Sequence, residues 1–224
     1  MSLTILLITV FSISGLLMLS LHFLYASALT DEQKIYPARA KKNQRHTARN
    51  VAINTLMSTL LIVGISYGLS DYLFNEAEFS VLSFTWESLA TLALYDFLYY
   101  FMHRFLFHEW DTLRSVHIVH HTNKFPTVFE SLYAHPVEIA MGVLLLMGCV
   151  AVVGPISLSA FALVLAVFSF FNLFIHSGLN FKRAWLRPIA YINRKHARHH
   201  ASMKAGNYAS ISPLPDILFG TAED

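Results

Sequence analysis

Five apolar runs constrain this chain more than any other feature of its sequence. Each is about 20 residues long, the length at which a helix crosses a lipid bilayer. They cover residues 3–25, 51–69, 81–100, 136–153 and 156–175. Composition agrees, because 55% of the residues are hydrophobic and only 13% are charged. The sequence therefore predicts an all-α integral membrane helical bundle with about five transmembrane helices.

We expect a single membrane-embedded domain over residues 1–224, since no linker rich in Pro, Gly or Ser divides the chain. A secretory signal peptide is the alternative interpretation of the first run, because Ala26-Ser27-Ala28 resembles a cleavage site. The length of the run and the lack of a preceding basic region favour a retained helix. Cys149 is the single cysteine, which excludes a disulfide framework and a thiolate metal site.

Basic residues predict which helix ends face the cytoplasm. One group lies between the first two runs and another follows the last run. Their members are Lys34, Arg39, Lys41, Lys42, Arg45 and Arg49, and then Lys182, Arg183, Arg187, Arg194, Lys195, Arg198 and Lys204. The loop between the second and third runs carries Asp71, Glu76 and Glu78 instead. We therefore expect a multi-pass protein whose N-terminus lies outside.

This topology, derived without the histidines, places ten of them on the cytoplasmic side or at its boundary. They are His103, His108, His117, His120, His121, His135, His176, His196, His199 and His200. The pattern H-x-x-H-H occurs twice, at His117 to His121 and at His196 to His200. Residues three and four apart share a helix face, so each cluster can place two imidazoles on one metal ion and the third on its neighbour. The sequence predicts a cytoplasmic, histidine-rich helical cap that binds metal.

The other histidines near these clusters have alternative roles. His103 and His108 are five residues apart and would point roughly 140° from each other on an ideal helix. We expect them to serve different ions, or a helix to end between them. Asn172 and His176 share a face, where Asn172 is a candidate to bind a metal-held water or to orient a ring. His135 precedes Pro136 at a helix start, so a ligand role and a capping role are equally natural.

Acidic residues are expected near the centre, since the clusters themselves contain no carboxylate. Acids that contact the ligating imidazoles would offset the metal charge and fix the imidazole tautomers. Asp96 is one candidate, because it lies seven residues before His103 and would share its helix face. The others flank the remaining clusters and are Glu130, Glu138 and Asp216. Sequence alone does not choose among them.

The motifs within residues 96–221 resemble the fatty acid hydroxylase / sterol desaturase superfamily. The resemblance rests on the run from Asp96 to Arg104, the first H-x-x-H-H, Asn172-x-x-x-His176 and the second H-x-x-H-H. Four shorter matches are most similar to the C-4 methylsterol oxidase branch: Ala134 to Glu138, His176 to Gly178, Asn207 to Ser210 and Phe219 to Thr221. Asn172 stands where some members have another histidine.

The resemblance implies a centre of two iron ions that activates O2 and hydroxylates or desaturates an unactivated C–H bond of a lipid, such as a sterol or a fatty acyl chain. It implies nine metal ligands, with no catalytic residue beyond them. These are His103, His108, His117, His120, His121, His176, His196, His199 and His200. Zinc is the other metal to expect in purified protein, because imidazole sites bind it more tightly than ferrous iron.

A separate cytoplasmic electron donor is expected, since the chain has no nucleotide-binding glycine motif, haem-attachment motif or thiolate cluster. A ferredoxin, or a haem protein with its reductase, would serve, and no nucleic-acid partner is implied. Two alternatives are a histidine-rich membrane metal transporter and a haem-binding electron-transfer protein. A transporter would need acids or histidines near the middle of its spans, where only Glu87 is a candidate. A haem protein would need histidines within the spans.

Overall fold

The computed structural model of the protein describes residues 2–36 and 44–223. Arg39, Lys41 and Lys42, three of the residues used to predict the cytoplasmic side, lie outside this part of the chain.

The described chain is mostly helical and has almost no strand, as predicted. Its α-helices are α1 (Leu3–Ala26), α2 (Gln44–Gly68), α3 (Ser70–Leu73), α4 (Val81–Phe101), α5 (Asp111–His121), α6 (Pro136–Val153), α7 (Leu158–Phe174), α8 (Arg187–Ala201) and α9 (Leu214–Leu218). A π-helix covers Met102–Glu109, and 3₁₀ helices cover Ala28–Gln33, Val128–Leu132 and Ala184–Leu186. Two short strands, β1 (Phe74–Asn75) and β2 (Ile156–Ser157), pair in parallel.

The apolar runs form a bundle in which α1 packs against α7, α2 packs against α6, and α4 packs against both α6 and α7. The centre of the bundle is aliphatic and aromatic, and includes Leu6, Ile62, Leu146 and Phe161. Gly154-Pro155 ends α6 before the chain turns into β2 and α7, as the breaker pair predicts.

Three helices in the described chain are long and apolar enough to cross a membrane: α1, α2 and α6. The apolar helix α7 is shorter, at 17 residues. Large apolar side chains face outward from the bundle, such as Leu16, Phe23 and Leu60, each at least 60% exposed. Such a surface suits lipid rather than water. The helical membrane bundle is therefore confirmed, while the count of five spans and their sidedness stay predictions.

Three features place the histidines at one end of the bundle. The π-helix continues directly from α4, and α5 packs against it. The helix α8 follows α7 through the short 3₁₀ helix that ends at Leu186. The final segment, residues 202–223, then folds back across the histidines, and we call it the C-terminal strap.

Candidate metal centre

Nine buried histidines come together in two adjoining groups. The five-histidine group contains His103, His108, His117, His121 and His199. The four-histidine group contains His120, His176, His196 and His200. Within each group, one ring nitrogen of every residue lies within 4.8 Å of those of the others. These nine residues are the same nine that the sequence proposed as ligands.

Helix geometry explains how each H-x-x-H-H divides between the groups. His117 and His121 on α5 face the five-histidine group, while His120 faces the other. On α8 the arrangement is reversed, because His196 and His200 face the four-histidine group and His199 faces the five. Residues four apart thus stay together and the residue between them turns to the neighbouring group.

The prediction that His103 and His108 diverge, or that a helix ends between them, is wrong. Both belong to the five-histidine group, and their ring centroids are 5.1 Å apart. They lie on the π-helix, whose turns close through bonds between residues five apart, as in the 3.0 Å bond from Trp110 N to Phe105 O. A spacing of five therefore brings two side chains to the same face.

The C-terminal strap orients three rings of the five-histidine group. His103 Nδ1 donates to Tyr208 O at 2.7 Å, His108 Nδ1 to Met203 O at 3.0 Å, and His199 Nδ1 to Gly206 O at 2.8 Å. A carbonyl oxygen can only accept, so each Nδ1 carries the hydrogen and each Nε2 presents a lone pair. The strap thereby sets the tautomer that a metal ligand requires.

Two buried carboxylates hold the strap in place. Asp96 on α4 accepts from Ile211 N at 3.0 Å and from Ser212 N at 3.1 Å. Asp216 accepts from Tyr208 N at 2.8 Å and from Ala209 N at 2.9 Å. Asp96 and Asp216 were two of the four acids that the sequence offered as candidate partners of the imidazoles, and both accept from backbone amides of the strap. The sequence of α4 could not reveal this for Asp96, because its partners lie 115 and 116 residues farther along the chain.

Local structure orients two rings of the four-histidine group. His120 Nδ1 donates to Tyr133 O at 3.0 Å, and His176 Nδ1 donates to Asn172 O at 2.7 Å. Asn54 on α2 steadies the loop that carries Tyr133, since its amide donates to Leu132 O at 2.8 Å and Ala134 O at 2.9 Å. Asn54 is a buried asparagine within an apolar helix, and no sequence motif pointed to it.

Glu138 is the predicted acid that lies against an imidazole of the centre. Its Oε1 lies 2.9 Å from His117 Nδ1, an electrostatic contact that departs from the geometry of a straight hydrogen bond. Glu130 instead forms a capping box with Thr127. His135 caps α6, because its Nδ1 accepts from Val137 N at 3.2 Å, so the capping interpretation of His135 is the one that the structure favours.

The Nε2 atoms provide a test of whether a cation fits this site. His103 Nε2 lies 3.1 Å from His199 Nε2, and His120 Nε2 lies 3.0 Å from His176 Nε2. Since all four Nδ1 atoms donate to carbonyls, each pair brings two lone pairs together with no hydrogen between them. Two nitrogens on one ion at about 2.1 Å are about 3 Å apart when the angle between them is near 90°. The donor set fits metal ions.

Burial keeps these imidazoles neutral and able to bind metal. It lowers the pKa of His117 and of His176 to about 3 and that of His108 to about 4. The pKa of His199 and that of His200 are also depressed, by burial first and by neighbouring imidazoles second. Protons therefore do not compete for the Nε2 lone pairs near neutral pH.

A cavity of about 280 Å³ connects the bundle to the four-histidine group. His120, His176 and Glu138 line it at the histidine end, together with the side chain of Asn172. Most of the remaining wall comes from α1, α2, α4, α6 and α7, and Phe107, Ser131, Leu132 and Ser210 also contribute to it. An apolar ligand lying between these helices could reach the four-histidine group without crossing water.

Comparison with known proteins gives a family match over this same region. The family model for fatty acid hydroxylase matches residues 88–221, more than half of the chain. No solved structure matches the chain.

Several curated proteins are similar to the chain. Methylsterol monooxygenase 2-2 from Arabidopsis thaliana is 28% identical over 229 aligned positions, covering 95% of this chain and 81% of that protein. Very-long-chain aldehyde decarbonylase GL1-11 from Oryza sativa subsp. indica is 33% identical, covering 62% and 53%. Methylsterol monooxygenase 1 from Rattus norvegicus is 31% identical, covering 64% and 53%. The alignments with the rice and rat proteins thus span about half the length of each.

Proposed function

The chain belongs to the fatty acid hydroxylase family, and from this premise we propose that it is a membrane-bound di-iron oxygenase. It uses O2 and external electrons to hydroxylate or desaturate an unactivated C–H bond of a lipid, such as a sterol or a fatty acyl chain. The observation that supports this most strongly is the pair of buried histidine groups whose lone pairs converge.

Each histidine group holds one iron ion in this proposal. The bound ions supply the activation of O2 and the removal of hydrogen from carbon, which no amino-acid side chain can perform. The protein contributes neutral imidazoles in a fixed tautomer, and Glu138 offsets positive charge beside His117. We assign no catalytic residue beyond these groups.

The overall reaction balances with an external donor. In hydroxylation one oxygen atom of O2 enters the lipid and the other leaves as water. In desaturation both oxygen atoms leave as water and the lipid loses two hydrogens. In both cases a cytoplasmic donor, a ferredoxin or a haem protein with its reductase, supplies an electron pair, and two protons from the solvent complete the water that forms. The donor approaches from the cytoplasmic side, where we place the histidine cap, with the N-terminus outside.

The lipid reaches the centre from the bilayer through the cavity. Its wall includes Phe11, Ile62 and Phe168, which give an apolar path between the helices. His120 and His176 line the far end, so the four-histidine group meets the substrate. This geometry keeps the reacting carbon away from bulk water, which limits side reactions of activated oxygen.

The two alternative functions find less support. Glu87, the one mid-span acid that a transporter could use, accepts from Ser157 N at 2.9 Å and from Ser157 Oγ at 2.7 Å. It therefore serves to cap α7. Haem would need room between two axial imidazoles, whereas the Nε2 atoms of His103 and His199 are only 3.1 Å apart.

The test is comparative lipid mass spectrometry of cells with and without the gene, combined with elemental analysis of purified protein. We expect about two iron or zinc ions per chain. We also expect one lipid class that gains an oxygen atom, or loses two hydrogens, only when the gene is present. Protein with intact helices and no more than trace transition metal would rule out the di-iron centre.

A further inference from the structure

Two short segments join at the histidine end of the bundle, where two of the long apolar helices end. One is residues 28–36, which follow α1, and the other is residues 178–187, which lie after α7. Backbone bonds connect them, since Ile35 N donates to Gly178 O at 2.8 Å. We call these two segments together the platform.

The length of α1 sets the depth of the platform in a membrane. This helix has 24 residues and is apolar enough to cross a bilayer. At about 1.5 Å per residue it is about 36 Å long, which exceeds the hydrocarbon thickness of about 30 Å. The helix ends at Ala26, so the residues that follow it reach the polar headgroups. The platform therefore lies at the level of the lipid headgroups.

Two large apolar side chains project from the platform. Leu29 is 94% exposed, the largest fraction among the exposed large apolar residues of the described chain, and Trp185 is 71% exposed. A tryptophan ring suits the boundary between acyl chains and headgroups, because it combines an apolar body with one N–H donor. Both side chains thus fit a surface that faces lipid better than one that faces water.

The charges of the platform do not cancel. Its acidic residues are already paired with lysines, in the ion pairs Asp31–Lys34 at 2.5 Å and Glu32–Lys182 at 3.4 Å. Arg183 and Arg187 are exposed, and no carboxylate of the described chain forms an ion pair with either. Arg187 lies in the first turn of α8, where the helix dipole disfavours a cation and no acidic residue offsets it. The platform thus presents two unpaired guanidinium groups beside the headgroups.

We propose that the platform binds the headgroup of an anionic phospholipid. Arg183 and Arg187 contact the phosphate, because the planar fork of a guanidinium matches phosphate oxygens. Leu29 and Trp185 lie against the first carbons of the acyl chains. A zwitterionic headgroup also has a phosphate, but its own cation cancels the charge that the arginines attract. An acidic soluble protein would match the charge alone, and it would have to enter the headgroup layer to reach the platform.

The bound lipid stabilises the histidine end of the bundle. Both α1 and α7 contribute to the wall of the cavity, and the platform connects their ends. Asn193 on α8 donates to Leu179 O at 2.6 Å, so the platform also contacts the helix that carries the second H-x-x-H-H. This inference goes beyond the proposed function, since it involves neither metal ions nor oxidation.

The experiment detects which lipid lies beside Trp185. In the full chain, Trp86→Phe and Trp110→Phe leave Trp185 as the single tryptophan. The protein is reconstituted in vesicles of equal parts of phosphatidylcholine and phosphatidylglycerol, with brominated acyl chains on one lipid or on the other. Bromine quenches tryptophan fluorescence at close contact. We expect phosphatidylglycerol to bind beside Trp185 about tenfold more tightly than phosphatidylcholine, because two cations face an anionic headgroup.

A pair of charge-removing variants tests whether the two arginines cause this preference. Arg183→Gln combined with Arg187→Gln should reduce it about tenfold, to near equality of the two lipids. Arg45→Gln combined with Arg49→Gln is the matched control, since it removes the same charge from exposed residues at the start of α2. The control should keep the full preference, and circular dichroism checks the fold of each protein.

Equal quenching by the two brominated lipids would overturn the proposal. Quenching by neither lipid would also contradict it, because the platform would then lie in water and be open to a soluble acidic partner. A preference that survives the loss of Arg183 and Arg187 would show that these residues do not bind the lipid. Native mass spectrometry of the unmodified protein, equilibrated with the same two lipids, tests the proposal without tryptophan substitutions. Retention of both lipids in equal numbers would reject it.

Discussion

The two histidine groups share the helices α5 and α8, which each supply residues to both groups, yet the rest of the protein holds them differently. In the five-histidine group, three rings donate to carbonyls of the C-terminal strap and a fourth contacts Glu138. In the four-histidine group only His120 and His176 have such partners. The Nδ1 atoms of His196 and His200 have none.

The sequence distance to each partner shows what the difference means. His103 and Tyr208 are 105 residues apart, and His108 and Met203 are 95 apart. For His120 and Tyr133 the separation is 13 residues, and for His176 and Asn172 it is 4. The group away from the cavity therefore depends on the return of the strap, whereas the group that meets the cavity depends on local helix geometry.

The largest expected effect comes from removing one ligand of either group. His120→Ala and His199→Ala should each abolish product formation and lower the metal content from about two ions per chain to about one. Membrane insertion should persist, because both residues lie outside the spans. Elemental analysis and a lipid oxidation assay would check this. His22→Ala is the control, since that ring packs on Phe129 and belongs to neither group. Full activity in both His120→Ala and His199→Ala would contradict the assignment of these residues as metal ligands.

Gly206→Ala should disturb the five-histidine group alone. An added Cβ would lie 2.1 Å from Thr221 O, so the strap would have to move, and with it the carbonyl that orients His199. We expect metal affinity at this group to fall on the order of 10- to 100-fold. Stepwise zinc titration with a competing chelator would separate the two sites. Gly64→Ala is the control, because open space surrounds that position.

Asp216→Asn and Asn54→Ala test whether the two groups are independent. The Asp216 change removes one acceptor oxygen from the strap, and the Asn54 change removes the amide that steadies the loop of Tyr133. We expect about tenfold weaker metal binding at the five-histidine group in the first variant and at the four-histidine group in the second. If either variant weakened both sites equally in the same titration, the groups would have to be treated as one unit.

Glu138→Gln should have the smallest effect on metal binding. The amide keeps the size of the side chain and an oxygen toward His117, but it no longer offsets the metal charge. We expect a decrease of about threefold to tenfold in affinity at the five-histidine group. Glu78→Gln is the matched control, since that residue is exposed in the loop before α4. An unchanged affinity in Glu138→Gln would show that the contact with His117 is only steric.

Much of the bundle followed from the sequence, because apolar runs and breakers act on neighbouring residues. The helix starts at Val81 and Pro136 agree with the predicted runs, and Gly154-Pro155 marks a turn in both. The predicted start of the last helix was less accurate. Ile156 and Ser157 pair with β1 as a strand, so α7 begins only at Leu158. That pairing depends on a strand in a distant loop, which local composition does not report.

The sequence by itself predicted that each H-x-x-H-H divides between two ions, because adjacent residues cannot share one face of an α-helix, and the structure then paired the residues that are four apart. Only the tertiary structure decided three other features. The π-helix brought His103 and His108 to one face, the strap supplied carbonyls to the five-histidine group, and Glu138, among four candidate acids, was placed against a ring. Each of these depends on backbone winding or on contacts between distant residues, which side-chain spacing along one helix does not encode.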